Sequence, residues 1–271
     1  MRYFKNIFEF YINSSIHVAL SCFALVHLTY RMFHISYNNS VAFFTFFGTI
    51  VGYNFVKYDA LVRTQKLKMT LQLKGVAFIS FLSLIATGYY FFHLEKGTQF
   101  IGLFFLIIVL LYTLPFFPNK KNARNWAGIK IYIVALCWVG VTLFLPIVNN
   151  NTECTSLVFL VAIQRYILIF VLILIFEIVD LKWDDPHLKT VPQQIGVMRT
   201  KRVGFVLMFL FVLLEFLSND FTIEFLALKT GLAITTILFL VYANENRSRY
   251  YASFWVESIP IFWWLFLMIF S

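Results

Sequence analysis

The sequence predicts an all-α membrane protein. About nine transmembrane helices are expected, bundled around a central cavity in a single polytopic domain over residues 1–271. Three observations carry that reading. The chain is 61% hydrophobic and 13% charged, against about 45–50% apolar and roughly 25% charged in soluble domains. Its apolar residues fall in runs that approach the length of about 20 residues needed to cross a bilayer as a helix. The runs also fail to alternate: Tyr166 to Ile178 reads YILIFVLILIFEI, apolar on every side but for Glu177. Lipid offers no hydrogen bonds to an open backbone, so a span is a helix or a closed barrel. Barrel strands alternate polar and apolar residues, which leaves helices.

Taken in order, the runs place spans at approximately Ser14–Phe33, Val41–Val56, Leu71–Phe92, Phe100–Pro115, Ile129–Val148, Leu157–Leu181, Val203–Leu217, Ile223–Tyr242 and Ala252–Phe270. The second, fourth and seventh are short. The first follows Arg2 and Lys5 with no small-residue cleavage site, so it reads as a span and not as a cleaved signal. Basic residues supply an independent check, because Lys and Arg stay on the cytoplasmic side. With the N-terminus inside, inner segments hold Arg2 and Lys5, then Lys57, Arg63, Lys66, Lys68 and Lys74. Further inner segments hold Lys120, Lys121, Arg124 and Lys130, then Lys182, Lys189, Arg199, Lys201 and Arg202, and last Arg247 and Arg249. Outer loops keep only Arg31 and Lys96, while Arg165 and Lys229 fall within spans. The C-terminus is then outside. The net charge of +9 is explained by orientation, so nucleic acid is not an expected partner; the lipid bilayer is. The cysteines, Cys22, Cys137 and Cys154, are scattered, which supports neither a zinc site nor a disulfide framework.

Chemistry concentrates at the end of the sixth span, Glu177-Ile-Val-Asp180-Leu-Lys-Trp-Asp184-Asp185-Pro186. Residues advance about 100° each along a helix, so Glu177, Asp180 and Asp184 share one face. Pro186 is expected to end the helix at Asp185. Carboxylates at a helix C-terminus oppose its partial negative charge. A cation must compensate: Lys182, Lys189 or a divalent ion. Mg²⁺ takes one or two protein carboxylates, keeps waters and binds substrate phosphates. Glu177 lies about a turn inside an apolar run, where acids are costly and usually functional. The second span closes on Asn54, Lys57, Asp59 and Arg63. Asn54 and Lys57 share a face, Asp59 lies about 140° round from Asn54, and Asp59 with Arg63 at i,i+4 also suits a surface ion pair. After the fourth span, Tyr112 leads to Lys120, Lys121 and Arg124. These cations suit a diphosphate clamp and equally a bare inner loop.

Together these motifs resemble the UbiA superfamily of intramembrane prenyltransferases. Glu177-x-x-Asp180-x-x-x-Asp184, with Lys189-Thr190-Val191-Pro192 and Gly196 behind it, is similar to that family's second acidic motif and trailing K-T-L-P-x-x-x-G, one residue shorter between them. Tyr112 with Lys120 and Lys121 is similar to its Tyr…Lys-Arg loop. The first motif departs from the family's N-D-x-x-D-x-x-x-D. Asn54 is kept, Phe55, Tyr58 and Val62 stand at the acidic positions, and Asp59 is one residue off register. The resemblance implies Mg²⁺ on Asp180, Asp184 and Glu177, with Asn54 and Asp59 from a depleted first half-site. Asp180, Asp184 and Asn54 are then the catalytic candidates. Lys120, Lys121, Lys189 and Tyr112, joined by Lys57 and Arg63, would bind an isoprenoid diphosphate. The prenyl group would pass to a lipophilic acceptor, with the active-site loops on the cytoplasmic side. A terpene cyclase of the same fold and a non-catalytic polyprenyl-lipid-binding or interaction protein are the alternatives. A transporter finds no support, since no pair of broken helices or inverted repeat is visible. His27 and His34 share a face but lack a further ligand and read as packing residues. Lys229 is expected to pair with Glu224 or Glu215, and Arg165 to snorkel.

Overall fold

Each apolar run is helical in the computed structural model. The structure describes residues 2–63, 70–114, 128–184 and 188–270, without the side chains of 2–3, 59–63 and 270. In chain order the helices are α1 (Arg2–Asn13), α2 (Ile16–Met32), α3 (Asn39–Arg63), α4 (Leu71–Phe91), α5 (Lys96–Thr113), α6 (Ile129–Val139), α7 (Leu145–Asn149), α8 (Ser156–Asp180), α9 (Val191–Ile195), α10 (Val197–Leu213), α11 (Ile223–Tyr242) and α12 (Ile259–Phe270). A π-helical turn, Gly140–Phe144, joins α6 to α7, and another, Tyr251–Val256, precedes α12. No strand occurs among the described residues.

Helix stands at all nine expected positions, yet length and composition alone give fewer crossings. Among the described residues seven segments are long and apolar enough to cross a membrane. The bent pair Phe4–Asn13 and Ile16–Met32, angled at 57°, makes up to eight. The seventh expected span is α10, 17 residues extended by a 3₁₀ turn at Leu214–Leu217. It opens on Arg199, Lys201 and Arg202, which shortens its apolar stretch. Apolar side chains such as Phe78, Phe81, Leu84 and Phe104 are exposed, as a lipid-facing surface requires.

The chain forms two compact units. The first comprises Met1–Leu114 and Gly140–Thr152. Its core gathers Val26, Tyr30, Val41, Ala42, Leu94 and Leu145. The bend between α1 and α2 falls at Ser14-Ser15, where Ser15 has a left-handed backbone (φ 61°). Pro146 explains another irregularity. Proline has no N–H to give to carbonyls of the preceding turn, and an unmet carbonyl in lipid is costly. The carbonyls of Val141 and Thr142 instead accept from Thr45 Oγ1 (3.4 Å) and Thr29 Oγ1 (2.7 Å). The π turn is held by side chains of α2 and α3. Gly140 opens that turn, and a Cβ there would lie 1.9 Å from Phe105 Cζ, so only glycine admits the ring of α5.

The second unit comprises Pro115–Val139 and Glu153–Ser271. Its axis is α8, apolar over most of its length and largely buried; Leu168, Leu174, Ile175 and Ile178 are fully enclosed. Against it pack α6 and α10, and α10 runs antiparallel to α11. The two helices approach closely at Gly204, where a Cβ would meet Leu240 Cδ2 at 2.4 Å. A polar cluster crosses this unit. Lys229 Nζ pairs with Glu215 Oε2 and donates to Gln164 Oε1 (2.9 Å), and Gln164 Nε2 donates to Glu215 Oε2 (3.0 Å). Of the two partners expected for Lys229, Glu215 is the one used. Arg165 does not snorkel: it is only 3% exposed.

Candidate functional site

The site is built at the C-terminal end of α8. Asp180 is its last residue, and one further turn follows, because both Trp183 N–H (2.7 Å) and Asp184 N–H (2.9 Å) donate to the Asp180 carbonyl. Asp184 therefore stands one turn beyond Asp180, as the spacing predicts. Asp185 and Pro186 lie outside the described residues. Glu177 is buried, and its Oε2 accepts the backbone N–H of Val191 at 3.0 Å. That bond folds the chain after the motif back onto α8. The returning segment is held in several ways. Lys189 takes a left-handed backbone (φ 46°), Gln193 Oε1 accepts the Thr190 N–H (3.0 Å), and Gln194 Nε2 donates to the Lys189 carbonyl. The Lys-Thr-Val-Pro motif is thereby a strap beneath the acidic helix end, and the Lys189 side chain is exposed.

The electrostatics are unbalanced. Among the described residues no ion pair reaches Glu177, Asp180 or Asp184. Lys130, in the first turn of α6, acts on both Glu177 and Asp180 through its charge, and Asp184 acts on both with the opposite sign. One oxygen, Asp184 Oδ2, is buried and accepts no hydrogen bond among the described residues. Buried polar atoms are nearly always paired, and an exception calls for an explanation such as an ion. The donor set fits Mg²⁺, which binds through one or two carboxylates with water and phosphate completing its shell. Among the described residues no group of three or more His, Cys, Asp or Glu could hold a metal by itself.

Asn54, Lys57, Asp59, Arg63 and Tyr112 belong to the first unit. Asn54 is buried and makes three hydrogen bonds. Oδ1 accepts from Ser15 Oγ (2.7 Å), while Nδ2 donates to the Ser14 carbonyl (3.1 Å) and to Ser80 Oγ (2.8 Å). It clips the α1–α2 bend to α3 and α4, and leaves one acceptor position on Oδ1. Lys57 donates to the Asn13 carbonyl (3.3 Å) and lies over the Tyr58 ring. Tyr112 is buried near the end of α5. Asp59 and Arg63 are on α3 with side chains outside the described residues, as Lys120 and Lys121 are entirely. His27 stacks on Tyr37 at 4.6 Å. Lys130 is the residue that sequence reasoning missed. In the sequence it stands as part of an inner basic segment, and its place in the first turn after that segment is the available signal.

The all-helical fold has counterparts of known structure. A UbiA homologue from Aeropyrum pernix superposes with a TM-score of 0.65 at 12% identity, over 93% of this chain and 98% of that one. The chain shares the fold of that UbiA homologue. A UbiA homologue from Archaeoglobus fulgidus, solved bound to GPP and Mg²⁺, gives 0.59 at 14% identity, covering 96% and 98%. Digeranylgeranylglyceryl phosphate synthase gives 0.59 at 16% identity, covering 98% of both chains. No family model and no curated protein matches the sequence. The likeness to these proteins is therefore one of fold, at 12–16% identity.

Proposed function

We propose that this chain is an intramembrane prenyltransferase-type enzyme that takes an isoprenoid diphosphate with Mg²⁺ and passes the prenyl group to a lipophilic acceptor. The observation that supports this most is the end of α8, where Asp184 Oδ2 is buried without a hydrogen-bond partner among the described residues, one turn from Asp180. Asp180 and Asp184 would hold the ion. Bound Mg²⁺ would supply positive charge to the departing diphosphate. The chain's own residues do the rest. Glu177 fixes the strap through Val191 and so sets where Lys189 stands. Lys130 places a fixed positive charge beside the carboxylates, and Lys189 offers a second to a phosphate oxygen. Lys120 and Lys121 complete the clamp by resemblance to the UbiA Tyr…Lys-Arg loop. The nine-span reading places these loops on the cytoplasmic side, in keeping with the charge asymmetry.

A non-catalytic reading also has an observation in its favour. Phe55, Tyr58 and Val62 replace the acids of the first motif, and Asn54 has spent both amide hydrogens inside the first unit. Purified protein with Mg²⁺ and a panel of isoprenoid diphosphates decides between them. Pyrophosphate release that Asp180→Ala and Asp184→Ala each abolish supports the enzyme. Tight Mg²⁺-dependent binding without release supports a lipid-binding protein. Full turnover by both variants would remove the roles assigned here. Release that proceeds without any acceptor indicates cyclisation.

A further inference from the structure

α10 opens and α11 closes at the same end of the second unit as Asp180, because α8, α10 and α11 run antiparallel in turn. Two cations meet there. Lys201 Nζ donates to the Val241 carbonyl (2.7 Å), and Arg247 Nε donates to the Tyr242 carbonyl (2.9 Å). Adjacent carbonyls at the close of α11 thus hold an ammonium and a guanidinium side by side. Tyr251 fixes the guanidinium from another side, its ring centre 5.2 Å from Arg247 Cζ. Neither cation makes an ion pair among the described residues. Partial burial and the charge of Arg247 hold the Lys201 amine below its ordinary range, as close like charges do. The helix C-terminus offsets part of the repulsion. Donors remain: two on the ammonium and the two Nη groups of a guanidinium that binds oxyanions in a fork. Arg247 is exposed, and α11 is a membrane span ending at Tyr242, so these donors lie where headgroups lie.

We propose that Lys201 and Arg247 form a binding site for the phosphate of an anionic phospholipid, separate from the acidic end of α8 and independent of the catalytic reading. A polybasic surface gathers such lipids diffusely; this pair is pre-positioned by backbone carbonyls and an aromatic ring, so it selects by contact.

The test is native mass spectrometry of the full chain released from mixed phosphatidylglycerol and phosphatidylcholine micelles. Wild type is expected to retain phosphatidylglycerol in preference. Lys201→Gln with Arg247→Gln should lower that preference by about thirtyfold, roughly fivefold for each cation. Arg199→Gln with Arg202→Gln removes two charges from the same exposed helix end and should lower it distinctly less. Should the neutral pair fail to fold, the exchanged pair Lys201→Arg with Arg247→Lys keeps both charges and is expected to lose part of the preference through the altered fork. Three results overturn the proposal. They are an unchanged preference in both Lys201/Arg247 variants, an equal loss in the Arg199/Arg202 control, and complete displacement of phosphatidylglycerol by inorganic phosphate, which would mark a free-anion site.

Discussion

Asn54→Ala separates a structural clip from a metal ligand. The wild-type amide makes three buried contacts, to Ser15 Oγ, the Ser14 carbonyl and Ser80 Oγ. Ser80 Oγ also donates to the Val76 carbonyl at 2.8 Å, so it keeps one partner in the variant. Ser15 loses its acceptor and Ser14 its side-chain donor. Hydrogen bonds between membrane helices average about 0.6 kcal/mol and reach about 1.7; buried groups left unsatisfied cost about 1–3 kcal/mol each. The two groups left without this partner therefore cost about 2–6 kcal/mol together. The assay is reversible unfolding in mixed micelles followed by tryptophan fluorescence, alongside Mg²⁺-dependent diphosphate binding. Asn54→Asp is the informative comparator. It keeps an acceptor for Ser15, loses both donated bonds and buries a charge, so it should be at least as unstable as Asn54→Ala. Wild-type stability in Asn54→Ala, joined to lost Mg²⁺-dependent binding, would refute the clip and restore Asn54 to the metal half-site.

Four further outcomes are expected. Glu177→Gln keeps an acceptor for the Val191 N–H while Glu177→Ala removes it, so diphosphate binding should fall about tenfold or more further in Ala than in Gln, the worth of one bond to a charged group; equal losses would show that charge alone matters. Gly140→Ala sets a methyl against the Phe105 ring and should destabilise by about 1–3 kcal/mol, with recovery on adding Phe105→Leu, measured by thermal unfolding. Lys229→Met strands the buried Glu215 carboxylate and should cost about 3–5 kcal/mol, most of it recovered in Lys229→Met with Glu215→Gln; the same loss in the double variant would contradict the pairing. Lys130→Gln should weaken diphosphate binding about fivefold to thirtyfold, the effect of removing one cation from a partly buried anion site, whereas exposed Lys182→Gln should leave it nearly unchanged.

How much of this was legible in the sequence depends on whether the cause is local. Apolar length is local, so helix occupies every expected span, and α4 begins and ends within a residue of its expected limits. The i,i+4 spacing of Asp180 and Asp184 is local too, and the helical turn carries it. The bend in the first expected span was not legible, because a Ser-Ser pair is compatible with a continuing helix; the left-handed Ser15 is stabilised by Asn54, 39 residues away. The π turn before Pro146 depends likewise on Thr29 and Thr45, which only the fold brings to its bare carbonyls. Lys229 was legible as needing an acid, but the choice of Glu215 follows from the side of α11 that meets α10.

The same distinction bears on the first motif. A family pattern treats Asn54 as the start of a row of ligands, and its loss of neighbours at Phe55, Tyr58 and Val62 reads as decay. The hydrogen bonds give the residue another reason to be present. An asparagine that satisfies a helix bend on one side and a serine of the next helix on the other is needed whether or not a metal is near, since no water in the hydrocarbon region can replace those bonds. Retention of Asn54 without the acids therefore carries little weight for a second metal half-site. The weight falls on the end of α8, where Asp184 Oδ2 lacks a partner among the described residues and Glu177 has one.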